Sequence, residues 1–264
     1  MITTILFDIY GTLIDISTDE RNMYSYEAIS KWMGYKGIYI MPDQLKWFYH
    51  EEFARRIGEE ENRAKGDVFK EIIDEFEARI QHREIHPDAD VRDVFKSIIL
   101  KYKQPPEEEL ARLATDLSHL FRAMTRKNIF VYPTVKPALD TMRKQYRLGI
   151  VSNAQEAFTM PELALYDLAP YFETIVLSSQ VGVKKPGPRI FSQALKNMNV
   201  KPEETVFVGN DLKADIMGAS RMGMKTIYLA GDPGMKIRGI APDAVVPNVD
   251  MFEVLKHIDR MNVK

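Results

Sequence analysis

Ile5-Leu6-Phe7-Asp8-Ile9-Tyr10-Gly11-Thr12-Leu13 decides the fold. An apolar run that closes on an acid and an Asp-x-x-Gly-Thr turn reads as a buried strand with a carboxylate at its carboxyl end. Open α/β sheets place their ligands at that edge. A carboxylate held there can attack an electrophile and form an acyl intermediate.

Outward from this turn the texture of the chain changes twice. Residues 20–126 show helical spacing, dense charge and almost no β-branched runs, which predicts helices near 22–33, 42–60, 67–82, 90–102 and 106–126. Pro42, Pro87 and Pro105-Pro106 fall at the breaks, where proline is tolerated. From about residue 129 short apolar runs return: Arg147 to Ser152, Thr174 to Ser178, Thr205 to Gly209 and Lys225 to Ala230. Helical stretches near 135–145, 161–169, 187–198 and 213–222 separate them. This alternation predicts a parallel sheet covered on both faces by helices. The first strand belongs with that sheet, so residues 1–17 and 128–264 are expected to form an α/β core and 18–127 an all-helical cap inserted after strand one.

Composition narrows the function classes. With 264 residues and 45% hydrophobic content, the chain can bury a sizeable core. Lys and Arg number 36 against 38 Asp and Glu, and a net charge of -2 gives no general attraction for nucleic acid or an anionic membrane. The absence of cysteine excludes disulfides, thiolate metal sites and cysteine nucleophiles. The apolar run from Ile5 is broken at Asp8, so neither a signal peptide nor a membrane span is expected and the protein reads as cytoplasmic.

Three further motifs stand at the ends of core strands: Val151-Ser152-Asn153, Gly182-Val183-Lys184-Lys185-Pro186 and Gly209-Asn210-Asp211-Leu212-Lys213-Ala214-Asp215. With the Asp8 turn they make the chain resemble the haloacid dehalogenase superfamily of hydrolases, whose Rossmann-like core carries a helical cap in this position. The resemblance spans the core from residue 2 to about 220, and the cap matches in kind and place only. It implies Asp8 as nucleophile, Ser152 as the residue ending the second core strand, Lys185 as the motif-three lysine, and Asp211 and Asp215 as the acidic fourth motif.

Each part has a physical reason. Lys185 near Asp8 favours the ionised carboxylate and neutralises a transferring group. Thr12, Ser152, Asn153 and the turn amides of the first loop can donate to a bound phosphate or carboxylate. Asp8, the Tyr10 carbonyl, and Asp211 or Asp215 are hard oxygen donors suited to Mg2+.

Tyr10 divides the readings. In the phosphatases of the family that residue is an aspartate that protonates the departing alkoxide; Asp-x-Tyr-Gly-Thr instead resembles the 2-haloacid dehalogenases, where halide leaves without a proton. The fourth motif pulls the other way. Asp211 adds a carboxylate that the metal-free dehalogenases lack, and neighbouring carboxylates repel one another unless a cation neutralises them. The dehalogenases also carry a tyrosine where this chain has Phe191, and their halide-receiving cap arginine has only Arg55 and Arg56 as positional counterparts. The favoured expectation is a Mg2+-dependent phosphatase acting on a small organic phosphate through an aspartyl-phosphate on Asp8. There Lys185 is catalytic and Tyr10 or a cap residue orients water. A metal-independent 2-haloacid dehalogenase is the alternative, and a weakly active phosphate-binding or regulatory protein a further one. The sequence does not give an oligomeric state.

Other motifs carry less. His82 and His86 have metal-ligand spacing on a helix but lack a third ligand. Gly231-Asp232-Pro233-Gly234 lacks the context of a dinucleotide fingerprint. Trp32, Trp47, Phe48, Tyr49 and Phe53 are expected to form the core of the cap rather than a base-stacking platform.

Overall fold

The computed structural model describes residues 1–64, 86–229 and 239–263. The helix expected near 67–82, His82 and the Gly231–Gly234 turn lie outside them. Six parallel strands form one sheet in the order β5-β4-β1-β6-β7-β8: β1 (Thr4–Phe7), β4 (Arg147–Ser152), β5 (Thr174–Leu177), β6 (Thr205–Gly209), β7 (Lys225–Leu229) and β8 (Ala244–Val246). The chain builds outward from β1 through β4 to β5, then crosses back to lay β6 against the other side of β1. That reversal is a topological switch point, and it opens a crevice beyond the carboxyl end of β1.

All four residues of β1 are buried, because both faces of the sheet are covered. Ile5 and Phe7 point to one side, packing with Leu148, Ile150, Val206 and Val208 under helices α5 (Val135–Met142) and α10 (Met251–Val263). Leu6 points to the other, with Val151, Val176 and Phe207 under α8 (Pro188–Met198). The period of two along the strand thus feeds two separate cores. On α8, Ile190, Phe191, Ala194, Leu195 and Met198 recur at helical spacing and are buried. Each large side chain among them contributes about 1.5–3 kcal/mol of transfer free energy.

Between β1 and β4 lies a helical block: α1 (Met23–Tyr35), α2 (Pro42–Ala64), α3 (Val91–Leu100) and α4 (Glu107–Thr125). It has its own core, in which Tyr49 stacks on Phe121 at 4.7 Å and packs near Tyr26 and Phe95. The aromatic cluster expected in this core is only partly there: Tyr49 is buried, Trp32, Phe48 and Phe53 pack against the core's edge, and Trp47 is 58% exposed. The chain enters and leaves the block through an antiparallel pair, β2 (Ile14–Thr18) and β3 (Arg126–Val131). That pair, like β8 and α10, has no counterpart in the sequence expectation.

Helix α6 (Glu156–Leu165) begins five residues before the expected start and carries Pro161 inside it. The earlier start is capped from a distance: Ser179 Oγ accepts the Glu156 N–H at 2.9 Å. The helix expected near 213–222 is a π-helical turn, Leu212–Met217, followed by the short α9 (Gly218–Arg221); α7 is the single turn Ser178–Val181. No helix among the described residues is long and apolar enough to cross a membrane.

Candidate active site

The register of the sheet assembles the site. Phe7 is level with Ile150 on one side and Val208 on the other, so Asp8, one residue on, emerges between the ends of β4 and β6. Its N–H bonds the Val208 carbonyl at 3.0 Å, fixing the residue as the strand ends. Asp8 Oδ1 accepts Ser152 Oγ at 2.8 Å and Lys185 Nζ at 2.7 Å. Oδ2 accepts no hydrogen bond among the described residues.

Lys185 is buried between two acids: its Nζ also lies 2.6 Å from Asp215 Oδ1. Burial opposes the charge of this ammonium, but the carboxylates of Asp215 and Asp8 outweigh burial and raise its pKa. Asp215 is pushed up to about 6, first by burial and also by the charge of Asp8, against the pull of Lys185. Its Oδ2 takes the Asp211 N–H at 2.9 Å, while Oδ1 meets Lys185 as an ion pair without an aligned hydrogen bond and has no other partner among the described residues.

Two glycines permit this approach. A Cβ on Gly209 would stand 2.3 Å from Asp215 Oδ2, so only glycine at the end of β6 lets the π-helical turn fold that carboxylate back toward Asp8. Gly11 has φ +80, and a Cβ there would stand 2.2 Å from the Asn210 amide nitrogen.

Asp8, Ser152, Lys185 and Asp215 thus come together, whereas the other expected site residues are placed differently. Thr12 is fully buried and donates to Asn210 Oδ1 at 3.3 Å, joining the first and fourth motifs from behind. The Gly11 N–H goes to the Ile14 carbonyl, and those of Thr12, Leu13 and Ile14 to the Ile9 carbonyl. Closing the turn uses these four amides, which leaves those of Ile9 and Tyr10 for the expected anion cradle. The Asn153 amide clasps the main chain of Lys185, accepting its N–H at 2.6 Å and donating to its carbonyl at 3.1 Å. Both polar atoms of its side chain are thereby engaged with the main chain of the lysine. Asp211 is exposed, and its Oδ1 caps the π-helical turn by accepting the Lys213 and Ala214 N–H groups.

The Tyr10 hydroxyl is committed as well. It donates to Glu162 Oε2 at 2.5 Å and lies 3.1 Å from Thr159 Oγ1. Glu162 is buried and bonded by Arg122 and Arg126, and the Arg122 guanidinium sits 5.3 Å over the Tyr10 ring. Burial and the charge of Glu162 raise the Tyr10 pKa. Glu162 is held low: burial acts against its charge, but Arg122 outweighs it. Glu162 is the residue that sequence reasoning missed, since nothing in the local pattern of α6 marks it.

Among the described residues no group of three or more acids and histidines is gathered around one point. A Mg2+ ion does not require one, since it takes one or two carboxylates and completes its octahedron with waters, carbonyls and substrate oxygens. The carboxylates of Asp8 and Asp215 meet at Lys185 Nζ, and the buried Asp215 Oδ1 makes no hydrogen bond among the described residues, so these hard oxygens fit that ion.

The dehalogenase markers are occupied otherwise. Phe191 is fully buried under the sheet, edge-on to Phe207. Arg55 pairs with Glu52 and Glu59, and Arg56 with Glu52, Asp93 and Ser97, all within the helical block.

The family model for haloacid dehalogenase-like hydrolases matches residues 2–223. A glyceraldehyde 3-phosphate phosphatase of Methanopyrus kandleri is 39% identical over 99 residues, which cover 37% of this chain and 42% of that protein. The chain spans about two fifths of the length of the curated relatives of that name. Among solved structures, a 2-haloacid dehalogenase of Pseudomonas syringae shares the fold with a TM-score of 0.60 at 22% identity, covering 99% of this chain and all of that one. A phosphatase of Thermococcus onnurineus does so with a TM-score of 0.54 at 23% identity, covering 97% and 98%.

Proposed function

This chain belongs to the haloacid dehalogenase-like hydrolases, and from that premise we propose that it is a phosphatase of small organic phosphates that works through an aspartyl-phosphate on Asp8. The observation that carries this reading is the buried triad Asp8–Lys185–Asp215, in which one lysine holds one oxygen of each acid and leaves Asp8 Oδ2 without a donor. The relatives named as phosphatases support the same choice of electrophile.

In the first half-reaction Asp8 Oδ2 attacks phosphorus, an O–P bond forms, and the bond to the leaving oxygen breaks. Lys185 neutralises charge on the transferring group while Ser152, released from Asp8 Oδ1, is free to donate to a phosphoryl oxygen. In the second, water attacks phosphorus, the bond to Asp8 breaks, and phosphate and a proton leave. Asp8, the Tyr10 carbonyl and a carboxylate from Asp211 or Asp215 would hold Mg2+, which supplies Lewis-acid stabilisation of the phosphoryl charge. Thr12 and Asn153 brace the loops that carry these groups. The helical block, residues 18–127, serves as a cap that excludes water and selects the substrate. Phosphate release from aryl and alkyl phosphates, with Mg2+ and with chelator, tests the reading; metal-dependent release lost in Asp8→Asn is expected.

Tyr10 favours a second reading, a metal-independent 2-haloacid dehalogenase in which Asp8 displaces halide and forms an ester. Halide release from 2-chloropropionate that persists in chelator would establish it in place of the first.

A further inference from the structure

Beside the catalytic loop lies a buried acid that the chemistry above does not use. Asp88 is 1% exposed, on a strap of residues 86–90 that leads into α3 and crosses from the helical block to the core. Its Oδ2 accepts Ser178 Oγ at 2.6 Å; its Oδ1 accepts the Ala89 N–H at 3.0 Å and faces Lys184 Nζ at 3.2 Å. The strap also pairs with the loop ahead of Lys185. The His86 carbonyl accepts the Lys184 N–H at 2.5 Å, the Asp88 N–H donates to the Gly182 carbonyl at 3.0 Å, and Pro87 opposes Val183 in antiparallel fashion. From the motif-two loop, Gln155 accepts the Val91 N–H and donates to the Ala89 carbonyl, both at 2.9 Å.

The loops that follow β4 and β5 are therefore fastened to the helical block through one short strap, and Asp88 is its polar centre. A carboxylate taken out of water is costly unless its oxygens find donors, and here both do. The main chain of Lys184 is held by His86 on the outside, and that of Lys185 by Asn153 on the inside. Lys185 reaches Asp8 and Asp215 from this doubly held segment. A displacement of the reacting groups on the order of 1 Å costs about a hundredfold in rate.

We propose that Asp88 is a positioning residue: it clips the helical block onto the 178–185 loop and so sets the main chain from which Lys185 reaches the two acids. Only the kinetic readout rests on the phosphatase reading.

The test uses the full chain with Asp88→Ala, Ser178→Ala, the double variant and Asp88→Asn, read by aryl phosphate turnover with Mg2+ and by amide hydrogen exchange. Asp88→Ala is expected to lower kcat about tenfold or more with KM little changed, and to speed exchange at residues 88 and 184 about tenfold while β1 keeps its protection. The double variant should be no worse than Asp88→Ala, since both changes remove one bond, and Asp88→Asn should recover most of the loss by keeping the contact to Ser178. If Asp88→Ala does not fold, Ser178→Ala breaks the same bond from the core side and is read in the same two ways. Wild-type kcat with unchanged exchange at 88 and 184, or exchange speeded equally in β1, would overturn the proposal. Absence of phosphate release by the wild type would count against the phosphatase reading alone, leaving exchange to decide the role of Asp88.

Discussion

Tyr10 donates its phenolic hydrogen to Glu162 across 152 residues of chain, at 2.5 Å. The bond turns the residue beside the nucleophile toward α6 and away from duty as a proton donor. Glu162 is itself held by Arg122 at the end of α4 and Arg126 at the start of β3, where the chain returns from the helical block. The nucleophile loop, α6 and the exit from the helical block therefore share one network.

Tyr10→Phe removes only the hydroxyl, and Glu162 keeps both arginines. It should cost about 1 kcal/mol of stability and leave aryl phosphate turnover within a few-fold of wild type. Tyr10→Asp restores a carboxyl acid, and alkyl phosphate turnover should rise at least about tenfold, since general acid catalysis typically contributes about 10²–10⁴. Aryl phosphates, whose leaving groups need no proton, should gain little. An unchanged alkyl rate would show that another group already performs the transfer.

Glu162 also predicts a pH dependence. Its pKa is depressed in the folded protein, so the group stabilises the fold above the unfolded glutamate value of about 4.3, and that contribution disappears as pH falls through the lower folded value. Thermal melts of Glu162→Gln should show lower stability at neutral pH and a shallower decline below about pH 4.3 than the wild type. Parallel acid limbs would show that the arginine pair does not act through this carboxylate.

Lys185→Met removes the charge between two buried acids. Activity should fall by about 10²–10³ or more. Asp215, already raised to about 6, should rise further without its cation. A raised folded pKa means that the folded state binds the extra proton, so stability of the variant should decline as pH increases through and above 6, opposite in sign to Glu162. Denaturant melts between pH 5 and pH 8 measure this; a flat profile would mean that Asp215 escapes to solvent in the variant.

Asn153→Ala deletes both arms of the clasp on Lys185. A stability loss of about 1–3 kcal/mol is expected from the unpaired main-chain groups, with a fall in kcat larger than any change in KM. Phosphate affinity reduced with kcat intact would instead place the Asn153 amide on the substrate.

The sequence carried the sheet and the order of the motifs because strand-ending turns are local: Asp8 and Ser152 close apolar runs, whereas Lys185 and Asp215 lie past the ends of β5 and β6, beyond a helical turn and within the π-helical turn. Contacts between distant segments were not legible. Glu162 looks like any acid on a helix, and only the fold brings it to Tyr10. Asn153 looked like an anion donor because its type and place allow that, yet the neighbouring loop supplies its partner. The start of α6 was misplaced for a similar reason, since its cap comes from Ser179, 23 residues away. Pro87 stands four residues ahead of α3, and its pairing with Val183, and with it the burial of Asp88, depends on tertiary contact.

Mass analysis of the quenched enzyme during turnover of an acyl or aryl phosphate with Mg2+ is the most direct measurement of how Asp8 acts. The peptide spanning residues 4–13 should gain one phosphoryl group on Asp8, and the gain should vanish in Asp8→Asn and in chelator. Phosphate release without that adduct in a rapidly quenched sample, or an adduct carrying the carbon skeleton of a 2-haloacid that forms in chelator, would contradict an aspartyl-phosphate mechanism.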